Sequence, residues 1–189
     1  MNHAKTQAKI RYMVGLALLS AIVVVLQLLS GYISIGTVPI TLVLVPVVVG
    51  AAVYGAGAGA FLGGVFAVVV LFQPGTMFYH NISIFGTIVT VLTKGILSGW
   101  LCGLCCKAFA KKNAYVGIVL ASVVCPVVNT AIFLLGCRVF FWNGIAAEFG
   151  DVAKYFIEPV IVLNFLPELA INIILSPAIP TILHAKKKI

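Results

Sequence analysis

Charged residues are scarce in this chain of 189 residues. Lys, Arg, Asp and Glu together make up 8% of the sequence, only four residues are acidic, and 62% are hydrophobic. A soluble domain has about 25% charged and about 45–50% apolar residues, so the composition excludes an ordinary soluble fold. Together with a mean hydropathy of +1.21, it predicts an integral membrane protein.

The motifs of common enzymes are also missing. The sequence contains no G-x-x-x-x-G-K-S/T loop for nucleotide phosphates, no H-E-x-x-H and no G-x-S-x-G. His3, His80 and His184 are far apart, and none has neighbours that would complete a metal site. Cys102 and Cys105 have C-x-x-C spacing, but no second pair accompanies them, which favours a packing role. We expect no enzyme, no catalytic residue, no metal and no cofactor.

Long apolar runs, by contrast, are frequent. Six of them could cross a hydrocarbon layer of about 30 Å as helices, at about residues 12–30, 39–55, 57–72, 84–106, 115–136 and 159–183. They predict an all-α integral membrane protein, a six-transmembrane-helix bundle that forms one domain over residues 1–189. The first run resembles a signal peptide but has no clear cleavage site, so we interpret it as retained.

Basic residues predict the orientation of the bundle. Cytoplasmic N- and C-termini would place nine Lys and Arg residues inside and only Arg138 and Lys154 outside, as the positive-inside rule requires. The nine are Lys5, Lys9, Arg11, Lys107, Lys111, Lys112, Lys186, Lys187 and Lys188. Because basic helix ends also attract anionic lipid, the net charge of +8 needs no nucleic acid to explain it.

Two ionisable residues, Lys94 and Glu168, fall inside predicted spans. Counted from the outer ends of their helices, they lie roughly 15 Å and roughly 13 Å deep, so we predict that both face the bundle interior. Asn164, Glu168 and Asn172 follow at i, i+4 and i+8 and share one helical face. Two interpretations stay open: a salt bridge with amide hydrogen bonds that fixes two helices, or a solute pocket in the outer half.

Further polar and aromatic residues could line such a pocket. We select Asn129 on the fifth span, Tyr79 and Asn81 in a short outer connection, and Arg138 and Trp142 in a long outer loop at 137–158. Rings with a few amide and charged groups suit a flat heterocycle or a small acid. For Tyr79 and Trp142 an interfacial aromatic belt is an equally good explanation, and the long loop is either a lid or a solvated connection.

Small residues recur at helical spacing on three spans. Gly55, Gly59 and Gly63, and likewise Gly95, Gly99 and Gly103, form ridges that predict close helix packing within the bundle. On the first span, Ala17-x-x-x-Ala21 serves either internal packing or an external partner.

Several of these patterns together resemble one family. The resemblance rests on the basic N-terminus, Ala17-x-x-x-Ala21, Val38-Pro39-Ile40-Thr41-Leu42 with Pro46 and Gly50, Tyr54-Gly55-Ala56, and Gly59-Ala60-x-x-Gly63-x-x-Phe66. Such a chain resembles the substrate-binding S components of energy-coupling factor (ECF) vitamin transporters. Ala56-Gly57 departs from the family, in which Pro is expected after the Tyr-Gly pair.

The resemblance implies a protein of the bacterial plasma membrane that captures a vitamin with high affinity outside the cell. An ECF-type ABC importer would then deliver the vitamin, with a coupling transmembrane subunit that contacts Ala17 and Ala21 and two cytoplasmic ATPases. The loop with Tyr32, Ser34 and Gly36 would act as the gate.

The identity of the cargo depends on a few pocket side chains. Lys94 or Arg138 with Asn129 and Asn164 could bind the carboxylate and hydroxyls of pantothenate, which is the preferred vitamin. The alternatives are an S component for riboflavin, folate, cobalamin or a similar vitamin, and a self-sufficient small-solute transporter.

Overall fold

A computed structural model of the protein describes residues 2–30, 34–35, 38–39, 43–109, 113–177 and 179. Two short strands, β1 (Ser34–Ile35) and β2 (Val38–Pro39), pair antiparallel. Two π-helical stretches, Cys137–Phe141 and Phe156–Phe165, continue neighbouring helices. The helices are α1 (Asn2–Ser30), α2 (Leu44–Tyr54), α3 (Ala56–Leu71), α4 (Pro74–Ile82), α5 (Ile84–Phe109), α6 (Ala114–Gly136), α7 (Trp142–Phe149), α8 (Val152–Tyr155) and α9 (Leu166–Leu175).

Four helical segments are long and apolar enough to cross a membrane: Lys5–Ser30, Ile84–Phe109, Tyr115–Phe149 and Val152–Leu175. A fifth candidate consists of α3 and α4 together, bent by 80° at the break between them. With 11 residues, α2 would extend only about 16 Å as a helix, too short to cross alone. The described residues therefore form a helical membrane protein with four or five candidate spans, fewer than the predicted six.

The break between α3 and α4 has a clear chemical cause. Pro74 has no backbone N–H and occupies the first turn of α4, where a donor is not needed. The hydroxyl of Thr76 donates to the carbonyl of Val70 at 2.7 Å, and Gln73 exchanges two hydrogen bonds of 2.6 Å with Gln27 of α1. The bend is thus fixed by side chains from both sides.

Two predicted connections are wrong. The predicted outer loop at 137–158 is mostly helical, because Phe141 and Ile145 are buried and hold the chain against an aromatic cluster, while the polar residues that suggested a loop lie on the exposed face. The short outer connection predicted to contain Tyr79 and Asn81 is helical and belongs to α4 (Pro74–Ile82). In addition, α1 begins at Asn2, well before the predicted start of the first span.

The glycine ridges pack as predicted except at Gly55, which lies between α2 and α3 and where an added β-carbon would meet nothing within 4 Å. A β-carbon added at Gly63 would lie 2.0 Å from the carbonyl oxygen of Gly95, and one added at Gly99 would lie 2.0 Å from that of Gly59. The pairing runs antiparallel, since Gly103 meets Ala56 at the other end. The backbones of α3 and α5 are therefore in direct contact, which only glycine permits at these positions.

Apolar side chains form two clusters. The larger one joins α1, α2, α3, α5 and α6 and includes Val23, Leu44, Phe66 and Val91. The smaller one surrounds Cys137, Phe141 and Ile145 and contains most of the aromatic residues of α4, α8 and the end of α6. Lys94 lies where these clusters meet, because it contacts Phe66 of the first and Phe133 of the second.

Candidate functional site

Lys94 of α5 is held between two aromatic rings. Its Nζ lies 5.0 Å from the centroid of Phe133 on α6 and 5.9 Å from that of Phe66 on α3, within the range of a cation–π interaction. The Glu168 carboxylate on α9 also acts on it electrostatically. Rings from α3 and α6 therefore flank the ammonium group, and the negative charge of Glu168 on α9 attracts it.

Glu168 and Asn172 lie in the interior, as predicted from their spacing. Glu168 is 0% exposed and Asn172 2%, whereas Asn164 is only half-buried. The Asn172 side-chain NH₂ donates to the backbone carbonyl of Glu168 at 2.8 Å. This bond fixes which way the amide points, so its Oδ1 must face away from the helix backbone.

Three buried oxygen atoms on α5, α6 and α9 have no hydrogen-bond partner within the described part of the chain: Thr90 Oγ1, Asn129 Oδ1 and Asn172 Oδ1. Each residue lies four positions from Lys94, Phe133 or Glu168 and therefore on the same helical face. A buried polar atom without a partner costs about 1–3 kcal/mol, and such atoms are normally satisfied by water or a ligand. We call Thr90, Lys94, Asn129, Glu168 and Asn172 the polar cluster.

An aromatic layer adjoins the polar cluster. The ring of Tyr79 on α4 lies 5.5 Å from that of Phe133 and 5.1 Å from that of Phe141. Its hydroxyl is hydrogen-bonded to that of Tyr155 on α8, and Phe149 stacks on Tyr155 at 4.5 Å. The cluster is thus bordered by flat ring surfaces, which suit a flat solute.

Other predicted site residues lie at an exposed rim. Arg138 stacks on Trp142 with 4.6 Å between its guanidinium carbon and the ring, and both side chains are exposed. Asn81 is exposed as well. Among the described contacts, none brings these three residues to Lys94. The polar cluster is therefore built without them.

Comparison with known proteins supplies the family. A family model described as "ECF transporter, substrate-specific component" matches residues 11–180. The chain belongs to this family. It is a component of a transport system and not an enzyme, and the family implies a small-molecule substrate together with ECF membrane and ATPase subunits as partners. No curated protein and no solved structure shows significant similarity to it.

In this S component the first connection is partly folded. Ser34 of β1 pairs with Pro39 of β2, and the backbone of β2 lies beside the π-helical stretch Phe156–Phe165. The other two residues assigned to a gate, Tyr32 and Gly36, lie outside the described residues. The hairpin is therefore placed against the segment that leads to Glu168.

The α1 helix of the S component exposes a broad apolar surface. Ala17 and Ala21 are exposed, and so are Val14 (53%), Leu18 (62%) and Val25 (54%) around them. Gly15, by contrast, lies inward, where an added β-carbon would meet the hydroxyl of Tyr54. The Ala17-x-x-x-Ala21 face therefore does not serve packing within the described part of the bundle.

Several residues of the site were not found from the sequence. Thr90 lies one turn before Lys94, and Phe133 one turn after Asn129, so helical spacing from the predicted residues could have identified both. Tyr155 gave no comparable signal, because its contact with Tyr79 joins two elements far apart in the chain. No group of His, Cys, Asp and Glu within the described ranges could hold a metal ion.

Proposed function

We propose that this S component captures a vitamin or a related small solute outside the cell and delivers it through an ECF-type importer of the bacterial plasma membrane. The observation that carries the proposal is the polar cluster, in which half-buried Lys94, buried Glu168 and three buried, unpartnered oxygens lie on helices lined with aromatic rings. Buried polar atoms are normally hydrogen-bonded to protein, water or a ligand. Oxygens left without a protein partner fit a site that is completed by a solute.

The same proposal includes a six-span topology with both termini in the cytoplasm. It treats α3 and α4 as one bent span and α2, together with the chain before it, as another. The placement of basic residues supports this orientation. It sets the polar cluster in the outer half of the bundle, which solute could reach from outside.

The hairpin and α1 take the roles that the family suggests. The gate, with Tyr32, Ser34 and Gly36, would cover the outer entrance, since β2 lies beside Phe156–Phe165. Ala17 and Ala21 would contact the coupling transmembrane subunit, because their small side chains let another helix approach closely and their face is exposed. Two cytoplasmic ATPases would drive delivery.

The contacts of the two candidate cations weaken the case for pantothenate as the cargo. Its carboxylate would need Lys94 or Arg138, yet Lys94 already faces Glu168 and Arg138 lies on Trp142 at the rim. Pantothenate therefore serves as one member of a test panel and not as the favoured ligand.

Binding without ATP tests the function. Purified protein is titrated calorimetrically, and by thermal shift, with a panel of vitamins. We expect one of them to bind with nanomolar to low micromolar affinity, which corresponds to about −8 to −12 kcal/mol, and to raise the unfolding temperature. Asn129→Leu removes one of the unpartnered buried oxygens and should weaken this binding, whereas Lys107→Met, at an exposed position, should not. Failure of every vitamin to bind would refute the proposal.

A further inference from the structure

We propose that the cargo is an uncharged ring solute that carries several N–H or O–H donors and no free carboxylate. This inference rests on the proposed function, and it assigns a substrate class to the polar cluster. Its first basis is charge. Lys94 is the cation of the cluster and Glu168 its anion, so a carboxylate would bring a second negative charge to a site whose single positive charge is already balanced.

The second basis is the kind of atom that the cluster leaves without a partner. Asn172 Oδ1 is an acceptor, and its orientation is fixed by the bond from its NH₂ group to the Glu168 carbonyl. Asn129 Oδ1 is a second acceptor, and the Asn129 side chain is 7% exposed. Acceptor oxygens are satisfied by donors and repel other oxygens. An N–H-bearing ring meets this requirement, and a carboxylate does not.

The third basis is Thr90, whose hydroxyl departs from the local pattern. Three other buried hydroxyls donate to a carbonyl in the preceding turn: Thr87 to Ser83 at 2.8 Å, Ser98 to Gly95 at 2.9 Å and Ser122 to Ile118 at 3.0 Å. Thr90 Oγ1 makes no such bond within the described residues, although Thr90 is only 3% exposed and packs beside Gly136 of α6. Its proton and lone pairs therefore remain for a solute.

Ring surfaces add the requirement for a flat solute. Phe66 and Phe133 flank Lys94, and Tyr79 extends the same layer. A flat ring can extend this layer through the edge-to-face contacts that its own rings make with one another, which a branched aliphatic acid cannot form. The three acceptors come from α5, α6 and α9, so a ring with donors on more than one edge would satisfy them together.

Matched ligands test the class directly. The purified, full-length protein is titrated with nicotinamide and nicotinate, which share a ring and differ in the carboxamide or carboxylate. Further ligands without a carboxylate or a permanent charge are riboflavin and pyridoxine; thiamine carries a permanent positive charge, and pantothenate, folate and biotin carry a carboxylate. We expect the tightest ligand to carry neither a carboxylate nor a permanent positive charge. Tight binding of a carboxylate vitamin or of thiamine alone would overturn this inference but leave the proposed function intact, and no binding by any of them would overturn both.

A pair of variants tests the oxygens themselves. Thr90→Val removes the unpartnered hydroxyl without changing the shape of the side chain, and Thr87→Val is its control on the same helix, equally buried but bonded to Ser83. We expect Thr90→Val to weaken binding of the tightest ligand about threefold to tenfold, which corresponds to the loss of one neutral hydrogen bond. Thr87→Val should leave the affinity unchanged. Equal affinities for both variants and the unchanged protein would show that the Thr90 hydroxyl contacts no solute.

Discussion

Gly63→Ala tests the packing of α3 against α5. The added β-carbon would lie 2.0 Å from the Gly95 carbonyl oxygen and 2.8 Å from its carbon, so the two helices must separate by about 1 Å before ordinary contact is restored. Both obstacles are backbone atoms, which cannot rotate away. Overpacking of this kind costs about 1–3 kcal/mol, and the upper end applies because the whole crossing must move.

One effect opposes this loss. Alanine is about 1 kcal/mol more favourable than glycine in a helix interior, so the net destabilisation should be about 2 kcal/mol. For a chain of this length that lowers the unfolding temperature by about 4–8 °C. Gly64→Ala is the matched control, since its β-carbon would meet only Ile96 at 3.6 Å. Gly64→Ala should gain the higher helix propensity of alanine without a steric overlap.

The assay is thermal unfolding of both variants in the same detergent, with helix content checked first by circular dichroism. We expect Gly63→Ala to unfold below the unchanged protein and Gly64→Ala at or above it. If Gly63→Ala unfolds at the temperature of the unchanged protein, α3 and α5 are not in backbone contact at this position.

Three further predictions concern side chains. Lys94→Met should destabilise the protein by about 3–5 kcal/mol, because the Glu168 carboxylate loses its counter-charge. Adding Glu168→Gln should restore part of the lost unfolding temperature. If it does not, Lys94 and Glu168 are not paired. Gln73→Leu removes two hydrogen bonds to Gln27 and should lower the free energy of unfolding by about 1–3 kcal/mol, measured by thermal unfolding. An unchanged unfolding temperature would show that other contacts hold the bend. Alanine at both Cys102 and Cys105 should leave vitamin binding unchanged in calorimetry, and loss of binding would show that the pair has a functional role.

The helices themselves were largely predictable from hydropathy. The run at 84–106 became α5 (Ile84–Phe109) and the run at 115–136 became α6 (Ala114–Gly136), because a continuous apolar stretch bounded by polar residues is a strong signal in a membrane protein. The segment at 137–158 was not predictable in the same way. Its polar residues are those of one exposed helical face, and a mixed composition on a short helix resembles that of a loop.

The charged residues and the asparagines of the candidate site were predictable, and Thr90 was not. Lys94 and Glu168 stand out because a charge within a span is costly and must be matched, and Asn172 shares the helical face of Glu168. A threonine carries no such cost, since its side chain can bond within its own helix, as Thr87 does. Only the three-dimensional contacts distinguish Thr90 from Thr87. The proposed ligand contact of Thr90 therefore could not be separated from an ordinary helix position by sequence.

The glycine ridge and the polar cluster are parts of one arrangement. Lys94 directly precedes Gly95, whose backbone meets that of Gly63, and Phe66 follows Gly63 by one turn on α3. The contact between Lys94 and Phe66 therefore depends on how closely the two helices approach. A separation of about 1 Å would move the ammonium group relative to the acceptors of α6 and α9, and positional errors of that size are large on the scale of a hydrogen bond. Gly63→Ala should for this reason weaken ligand binding as well as lower stability. Gly64→Ala should weaken neither ligand binding nor stability.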